Sequence, residues 1–184
     1  MTTVAIHQPN FIPWPGYFDK MRRADIFVIL DDVQYTKGGF QNRNRIVTRQ
    51  GPRWLTVPVM TKGHADQLTK DVLLDPTKPF PAKTLKTLET TYSKSPGFGA
   101  HMEAIRVILL KGHTHLAALS LELIEWARQA LGIRTPLRLS SDLGLSSTAT
   151  QRLVDIVRAC GGSSYLCGQG GDNYLERDLF LRNG

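Results

Sequence analysis

Polar side chains follow two apolar segments near the start of the chain, residues 3–6 and 26–30. The polar residues at these two positions are His7, Gln8, Asn10, Asp31 and Asp32. Both segments are typical of strands, and ligands bind at the carboxyl ends of strands in open α/β sheets. Histidine can act as a general acid or base near neutral pH. The sequence therefore predicts a site in which His7 is catalytic and Gln8 and Asn10 bind substrate.

A structural interpretation of the same histidine is equally supported. Three prolines between residues 9 and 15 exclude regular structure from this loop, because proline lacks a backbone donor and fixes φ. The backbone groups of the loop then need other hydrogen-bond partners. In this alternative, His7 and Asn10 hold the loop in place by hydrogen bonds and do not react with a ligand.

Asp31 and Asp32 are consecutive at the end of the second predicted strand, so their side chains are expected to point to opposite faces. This arrangement predicts that they do not form a pair of catalytic carboxylates. We expect Asp32 to be the second catalytic residue, which orients His7 or the amine of a substrate. The alternative for either aspartate is a structural role, in which one caps a turn or pairs with a nearby arginine.

A dense array of hydrogen-bond donors follows at residues 41–45, where amides alternate with guanidinium groups. Arginine side chains suit carboxylate and phosphate groups, and Phe40 and Trp54 flank the array as stacking surfaces. The sequence predicts that this segment holds an anionic group, with a solvated basic loop as the alternative. The residues expected to bind substrate in this part of the chain are Gln34, Tyr35, Asn42, Arg43, Asn44 and Lys62.

Gly168, Gly170 and Gly171 lie between a short apolar segment and a short helical one. Backbone amides in such a loop can hold a phosphate group, and we expect these three glycines to bind substrate. Their spacing matches neither the dinucleotide-binding fingerprint nor a Walker loop, so the alternative is a tight turn. Cys167, just before the loop, is interpreted as a buried thiol in preference to a nucleophile.

The 184 residues are 41% hydrophobic and 21% charged, which is typical of a soluble globular protein. No apolar segment is long enough to span a bilayer, and the start of the chain lacks the features of a signal peptide. We therefore expect a cytoplasmic protein without membrane insertion. Cys160 and Cys167 are expected to be reduced thiols. The histidines on predicted helices have no carboxylate at ligand spacing, and neither a metal site nor a cofactor is predicted.

The formal net charge of +7 favours an anionic partner, such as a nucleotide, a nucleotide sugar or RNA. The basic residues are scattered over several segments and form no known groove-reading motif. We therefore expect a nucleotide-linked or phosphorylated small molecule as the partner, and not duplex DNA.

Apolar periodicity predicts an α/β fold with a Rossmann-like, mostly parallel sheet. Strands are expected at residues 3–7, 26–30, 54–59, 71–74, 136–139 and 164–167. Helices are expected at residues 16–23, 79–95, 99–110, 114–132, 148–160 and 173–181. Residues 35–51 are expected to form a long loop or an irregular hairpin. The whole chain, residues 1–184, is predicted to be a single domain with an inserted helical and loop region at roughly residues 60–130.

Several longer motifs resemble the WbqC-like family. They are residues 7–20 (HQPNFIPWPGYFDK), 31–37 (DDVQYTK), 41–45 (QNRNR) and 54–59 (WLTVPV), with Tyr165-Leu166, Gly168 and Tyr174-Leu175 later in the chain. The resemblance covers essentially the whole chain. The family is associated with gene clusters for surface polysaccharides, O-antigen in particular, and for some natural products. Similar members usually continue beyond the last short helix, so the chain is expected to be short at its C-terminus.

A glycine- or aminoacyl-transferase role has been suggested for this family. The resemblance thus implies a transferase that modifies a sugar or small amine by acyl or aminoacyl transfer, with aminoacyl-tRNA as one candidate partner. The alternative is a non-catalytic accessory protein that binds a nucleotide sugar or RNA. An enzyme would place His7 and Asp32 in one concave pocket, whereas a binding protein would expose its basic loop as a continuous patch.

Overall fold

The computed structural model describes residues 1–61, 63, 66–168, 170–171 and 175–183 of the chain. In this part of the chain the strands are β1 (Thr3–His7), β2 (Ile26–Ile29), β3 (Arg43–Thr48), β4 (Gly51–Thr56), β5 (Leu137–Leu139) and β6 (Ser164–Leu166). The α-helices of the described residues are α1 (Pro15–Arg22), α2 (Ala82–Tyr92), α3 (Phe98–Leu110), α4 (Leu116–Ala130), α5 (Ala149–Ala159) and α6 (Arg177–Arg182). Short 3₁₀ turns lie at Thr69–Asp71 and Ser140–Leu143.

Four parallel strands form a sheet in the order β5-β2-β1-β6. In the central strand β1, Val4 is paired with Ile26 of β2 on one side and with Tyr165 of β6 on the other. Val4 and Ala5 are fully buried, as is Phe27 of β2. Continuous apolar burial is expected of central parallel strands that are covered on both faces. The structure therefore confirms a mixed α/β fold with a parallel sheet.

The chain forms two compact units. The first unit consists of Met1–Gln8, Pro15–Asp32 and Leu131–Gly184, and it contains the parallel sheet with α1, α5 and α6. The second unit consists of Pro9–Trp14 and Val33–Ala130, and it contains the antiparallel β3–β4 hairpin with α2, α3 and α4. The chain thus leaves the first unit after β2 and returns to it before β5.

Each unit has its own hydrophobic core. In the first unit, β1 and β2 pack against α5 through Val4, Ile6, Val28, Leu153, Ile156 and Val157. In the second unit, the hairpin and the helices pack together through Ile46, Leu55, Leu85, Met102, Leu119 and Leu123. The buried helix residues recur at three- and four-residue spacing, which is the pattern of an amphipathic helix.

The second unit differs most from the elements that the sequence predicts. Of the two alternatives for residues 35–51, the hairpin is the observed one, because β3 pairs with β4 over six residues in each strand. The strand β4 begins and ends three residues before the predicted one, since the turn at Thr48–Gly51 fixes its register. The strand predicted at residues 71–74 is wrong. Isolated bridges form there instead, from Leu73 to His115 and from Leu74 to Val59, and no strand among the described residues is paired with this segment.

The helix ends follow local signals more closely. Gly132 lies beyond the end of α4 with φ at +66°, the left-handed conformation in which a glycine commonly closes a helix. The last helix, α6, begins at Arg177, and the earlier part of the predicted segment 173–181 includes residues that lie outside the described ones. Among the residues that the structure describes, no helix is both long enough and apolar enough to cross a bilayer. Cys160 and Cys167 are free thiols.

Gly162→Ala is expected to destabilise the first unit by about 1–3 kcal/mol. A Cβ atom at this position would lie 2.5 Å from Val4 Cγ2 and 3.0 Å from Val157 Cγ1, and both valines belong to the core. Gly99→Ala is the matched control, because Gly99 is in α3 and a methyl group there would meet only open space. Alanine there should be neutral or should stabilise by about 0.5 kcal/mol. Urea unfolding measures both changes, and an unchanged midpoint for Gly162→Ala would contradict this close approach.

Candidate functional site

The carboxyl ends of β1 and β6 lie side by side in the first unit. Ala5 of β1 is paired with Leu166, the last residue of β6. His7 and Cys167 therefore lie at the same edge of the sheet. From β1 the chain proceeds to β2 and β5 on one side, and β6 then returns to the other side of β1. In open α/β sheets, ligands bind beyond the carboxyl ends of strands at such a reversal.

His7, the predicted catalytic residue, is half-buried at this edge. Its Nδ1–H donates to the Gln8 carbonyl at 3.1 Å, which places the lone pair of the neutral ring on Nε2. The Tyr17 ring packs against His7 edge-on, with the ring centroids 4.8 Å apart. Burial, followed by the charge of Lys20, lowers the pKa of His7 to about 4, although the hydrogen bond to Gln8 acts in the opposite direction. His7 is therefore neutral at pH 7.

Lys20 of α1, which the sequence does not single out, lies at the same edge. Its Nζ donates to the Ile6 carbonyl at 2.8 Å and lies 5.8 Å from the centroid of the Tyr165 ring. A Cβ atom on Gly168 would be 3.7 Å from the same Nζ. Burial lowers the pKa of Lys20 to about 8, and the electrostatic interaction with Cys167 acts in the opposite direction. At pH 7 this side chain still brings a positive charge to the ends of β1 and β6.

Gly168 and Gly171, which follow β6, are joined by a backbone hydrogen bond. The Gly171 N–H donates to the Gly168 carbonyl at 2.8 Å, and the Leu175 N–H donates to the Gly171 carbonyl at 3.1 Å. Gly171 is buried, whereas Gly170 is exposed. These bonds are those of the tight-turn alternative, and phosphate binding by the three glycines stays a prediction. Cys167 is half-buried, and its S–H donates to the Gly168 carbonyl at 3.2 Å.

Asp31 and Asp32 connect the end of β2 to the residues after β5. The Ser140 hydroxyl lies 3.0 Å from Asp31 Oδ1 and 2.5 Å from Asp32 Oδ1. Asp31 also accepts hydrogen bonds from the backbone N–H and the hydroxyl of Ser141, and it thereby caps a turn. The expectation that the two side chains point apart is wrong, because β2 ends at Ile29 and strand alternation no longer applies.

Asp32 also forms an ion pair with Arg152 of α5. The two side chains are only 14% and 8% exposed, so the pair is buried. Arg152 Nη1 donates in addition to the carbonyls of Leu145, at 2.7 Å, and Ser147, at 3.3 Å. These contacts support the structural alternative for Asp32, in which an aspartate pairs with an arginine. That Asp32 orients His7 or a substrate stays a prediction.

In the second unit, the glutamine and one asparagine of the predicted donor array bind the unit's own groups. Gln41 is buried, where its Oε1 accepts from the Thr36 N–H at 2.9 Å and its Nε2 donates to Thr69 Oγ1 at 3.0 Å. Asn42 Nδ2 donates to the Val57 carbonyl at 2.9 Å. These amides therefore stabilise the loop itself.

Asn44 holds the proline-rich loop in place. Its Nδ2 donates to the Ile12 carbonyl, and its Oδ1 accepts from the Arg45 N–H at 2.8 Å. Ile12 has φ at +43°, which is uncommon for a β-branched residue and needs support from its surroundings. The structural role that the sequence offered for His7 and Asn10 thus falls at least in part to Asn44. Asn10 itself is buried.

Arg43 packs against an aromatic ring. Its guanidinium carbon lies 4.2 Å from the centroid of the Trp54 ring, and its Nη2 donates to the Gly38 carbonyl. Two buried atoms of the array, Arg43 Nε and Asn42 Oδ1, have no hydrogen-bond partner among the described residues. Burial raises the pKa of Tyr35, against the opposing charge of Arg43. Arg43 Nε and Asn42 Oδ1 are the atoms of the array that are most suited to bind a ligand, because no described residue is bonded to them.

The predicted site residues are divided between the two units. Gln34 is exposed, and its Nε2 donates to Asp66 Oδ1 at 3.1 Å. Lys62 lies outside the described residues. The first unit contains His7, Gln8, Asp32, Gly168, Gly170 and Gly171. The second unit contains Asn10, Gln34, Tyr35, Asn42, Arg43 and Asn44. That all of them form one site stays a prediction.

Metal ligation finds no support in the described part of the chain, where no three histidine, cysteine, aspartate or glutamate side chains are grouped to hold an ion. His113, for example, lies with its Nε2 at 2.8 Å from Glu122 Oε2.

Lys20 and Arg152 are the two residues of the first unit that reasoning from the sequence misses. Lys20 follows the buried Tyr17 by three positions in α1, and Arg152 precedes the buried Ile156 by four positions in α5. Both spacings place the cation on the apolar face of its helix. A basic residue at an apolar position of an amphipathic helix is the signal that could have identified both.

Arg152→Met is expected to destabilise the protein by about 3–5 kcal/mol, because it leaves the Asp32 carboxylate buried without its partner. Arg158→Met, an exposed arginine of the same helix, is the control and should change stability by less than about 0.5 kcal/mol. Denaturant unfolding of both variants measures the difference. Equal losses of unfolding free energy in the two variants would show that the Asp32–Arg152 pair contributes no more to stability than an exposed arginine does.

Comparison with known proteins identifies the family to which the chain belongs. Residues 8–184 match the model of the WbqC-like protein family. A curated relative from Mycobacterium tuberculosis (strain ATCC 25618 / H37Rv), "Uncharacterized protein Rv1507c", is 38% identical over 181 residues, which cover 98% of this chain and 78% of the relative. No solved structure matches the chain significantly. Since the family model spans nearly all of the sequence, the chain belongs to the WbqC-like protein family.

Proposed function

We propose that the protein is a transferase that moves an acyl or aminoacyl group, such as glycyl, onto a sugar or small amine. The reaction centre would lie at the carboxyl ends of β1 and β6. The observation that carries this proposal is the position of His7 and Lys20 at one edge of the sheet, where they are hydrogen-bonded to the carbonyls of Gln8 and Ile6. The first can accept a proton from an acceptor, and the second can hold a negatively charged donor.

In such a transfer, the nitrogen or oxygen of the acceptor attacks the acyl carbon of the donor. A bond forms between these atoms, the bond to the leaving group breaks, and the acceptor's proton passes to His7 Nε2. The same proton then moves to the leaving group, which returns His7 to its neutral form. The Gln8 carbonyl keeps Nδ1 protonated. Because its low pKa makes His7 a weak base, it would take the proton after the attack has acidified the acceptor.

Lys20 would hold the phosphate or carboxylate of the donor. An ammonium group has three donors, and the Ile6 carbonyl accepts a hydrogen bond from Lys20 at 2.8 Å. The side chain is partly desolvated, which strengthens its attraction for an anion. A nucleotide-linked or otherwise phosphorylated donor suits this position. Asp32 would then contribute indirectly, by fixing the end of β2 through Arg152.

The proposal has three further parts, which concern the type of sheet, the residues that bind an anionic group and the cellular role. A Rossmann-like arrangement is supported by the strand order, which reads 3-2-1-4 when only the parallel strands are counted. Binding of an anionic group by Asn42, Arg43 and Asn44 is supported by the unpartnered Arg43 Nε. A cytoplasmic role in surface-polysaccharide or natural-product biosynthesis is supported by the family alone.

Acyl transfer from acetyl phosphate and glycyl adenylate, two donors that carry a phosphate group, to glucosamine tests the proposal, with the N-acylated product measured by mass spectrometry. The protein should accelerate product formation, and His7→Gln should slow it by about 100-fold, the lower range for loss of a general base. His101→Gln, which changes an exposed histidine of α3, is the control and should keep full activity. Product formation no faster than in buffer with both donors would contradict the transferase and favour a non-catalytic accessory protein.

His7 should also make stability sensitive to acid. Its pKa is about 4 in the folded protein against the ordinary value of 6.5, so between these pH values the unfolded chain binds the proton and the folded one does not. The free energy of unfolding should therefore fall as the pH is lowered through this window, by up to about 1.4 kcal/mol per pH unit from this group. Urea unfolding of the wild type and His7→Gln measures the effect. Their difference should shrink towards acid pH, whereas a constant difference would show that His7 is not held neutral.

A further inference from the structure

Three half-exposed aromatic side chains form a continuous surface on the second unit, which we name the aromatic platform. Trp14, Phe40 and Trp54 are 40%, 44% and 46% exposed. Phe40 lies between the two indoles, and its ring centroid is 5.8 Å from each of theirs. Large apolar groups are normally scattered singly over a protein surface, and a contiguous group of them marks an interaction site.

Two arginines extend the platform. The guanidinium carbons of Arg43 and Arg45 lie 4.2 Å and 5.6 Å from the centroid of the Trp54 ring. Arg45 is directly opposite Trp54 in the β3–β4 ladder, so the two side chains share the outer face of the hairpin. Ile46 and Leu55, on the inner face, are buried in the core. Planar guanidinium groups beside an indole offer both charge and further stacking surface.

The segment of sequence that carries Phe40 and Trp54 has charged residues of a single sign. Residues 33–65 contain no aspartate or glutamate. Their basic residues are Lys37, Arg43, Arg45, Arg49, Arg53 and Lys62. Protein surfaces usually intersperse both signs, and a surface of one sign attracts ligands of the other. The partner of the platform is therefore expected to be an anion.

An open groove of about 380 Å³ continues from the platform. It begins at Trp54 and is lined further along by Phe80 and by the cations Lys78 and Lys83. None of the described residues that line it is acidic. Aromatic rings are thus followed by a groove with positive charge, all within one compact unit.

We propose that the aromatic platform and this groove bind an unpaired single strand of nucleic acid. Bases stack on Trp14, Phe40 and Trp54, and the phosphates follow the basic residues into the groove beside Lys78 and Lys83. Stacking on aromatic rings combined with a positive groove is how proteins bind single strands with little regard to sequence. A duplex does not satisfy this surface, because its bases are already stacked on one another. The proposal rests on the second unit alone and is independent of the transferase chemistry.

Fluorescence polarisation of the whole protein with labelled oligouridylate and oligothymidylate of about ten nucleotides tests the proposal. Binding should weaken steeply between about 50 and 200 mM salt, because phosphate contacts release counterions. Unlabelled strands should compete, whereas uridine monophosphate and a duplex of the same length should compete far less. Strong competition by the monophosphate would instead identify a site for a free nucleotide and overturn the proposal, as would equal competition by the duplex.

Substitutions at the platform separate stacking from charge. Trp54→Ala should weaken binding about tenfold, and Trp54→Phe should retain most of it, because every base can stack on either ring. Trp54 is half-exposed, and thermal melting of both variants should resemble that of the wild type. Equal affinities for Trp54→Ala and the wild type would contradict the platform.

Substitutions in the groove test the phosphate path. The double variant Lys78→Gln and Lys83→Gln should lower the slope of log affinity against log salt by about 1.4, as expected for two lost phosphate contacts on a single strand. Lys86→Gln with Lys94→Gln removes the same charge from exposed positions outside the groove, and it should leave most of the slope intact. If both double variants lowered the slope equally, net charge alone would explain the attraction, and the proposed path of the phosphates would be wrong. Absence of binding to both strands at about 50 mM salt would overturn the proposal as a whole.

Discussion

The buried ion pair between Asp32 and Arg152 is the contact on which the first unit depends. It joins the end of β2 to α5 across 120 positions of sequence, and the Ser140 hydroxyl joins the same carboxylate to the segment after β5. A buried charge that lacks its partner costs several kcal/mol. The pair therefore fixes where these elements meet. The strands β5 and β6, at three residues each, bury too little apolar surface to fix it by themselves.

The same cost of burying charge explains the chemistry beside β1. Two basic groups lie at one edge of the sheet, and burial disfavours the charged form of both. His7 yields its proton because burial and the charge of Lys20 lower its pKa to about 4, whereas Lys20 keeps most of its charge near pH 7 because its pKa falls only to about 8. The edge thus carries one positive group and one neutral acceptor. If both groups kept their protons, two cations would repel each other at this edge, and if both lost them, no positive charge would remain.

Local spacing in the sequence predicts much of this fold, because apolar residues in β1, β2, α4 and α5 recur at the period of their element. It also places His7 correctly at the end of a strand. What it misses is decided by distant partners. The burial of Lys20 depends on the ends of β1 and β6, and the position of Arg152 depends on Asp32. The polar array at residues 41–44 looks like a ligand site in sequence, yet contacts such as the one from Gln41 to Thr69 commit much of it to the loop itself.

The second unit interrupts the first between β2 and β5, which are neighbours in the sheet. As the chain is synthesised, the whole interrupting segment emerges before β5 and β6 exist, and domains generally fold as units during synthesis. Until then β1 and β2 can form only a two-stranded ribbon, which is marginally stable in water. The middle of the chain is therefore ready to fold first, and the sheet is completed last. The earliest strands to be made wait longest for their partners, with unpaired edges that other chains can join.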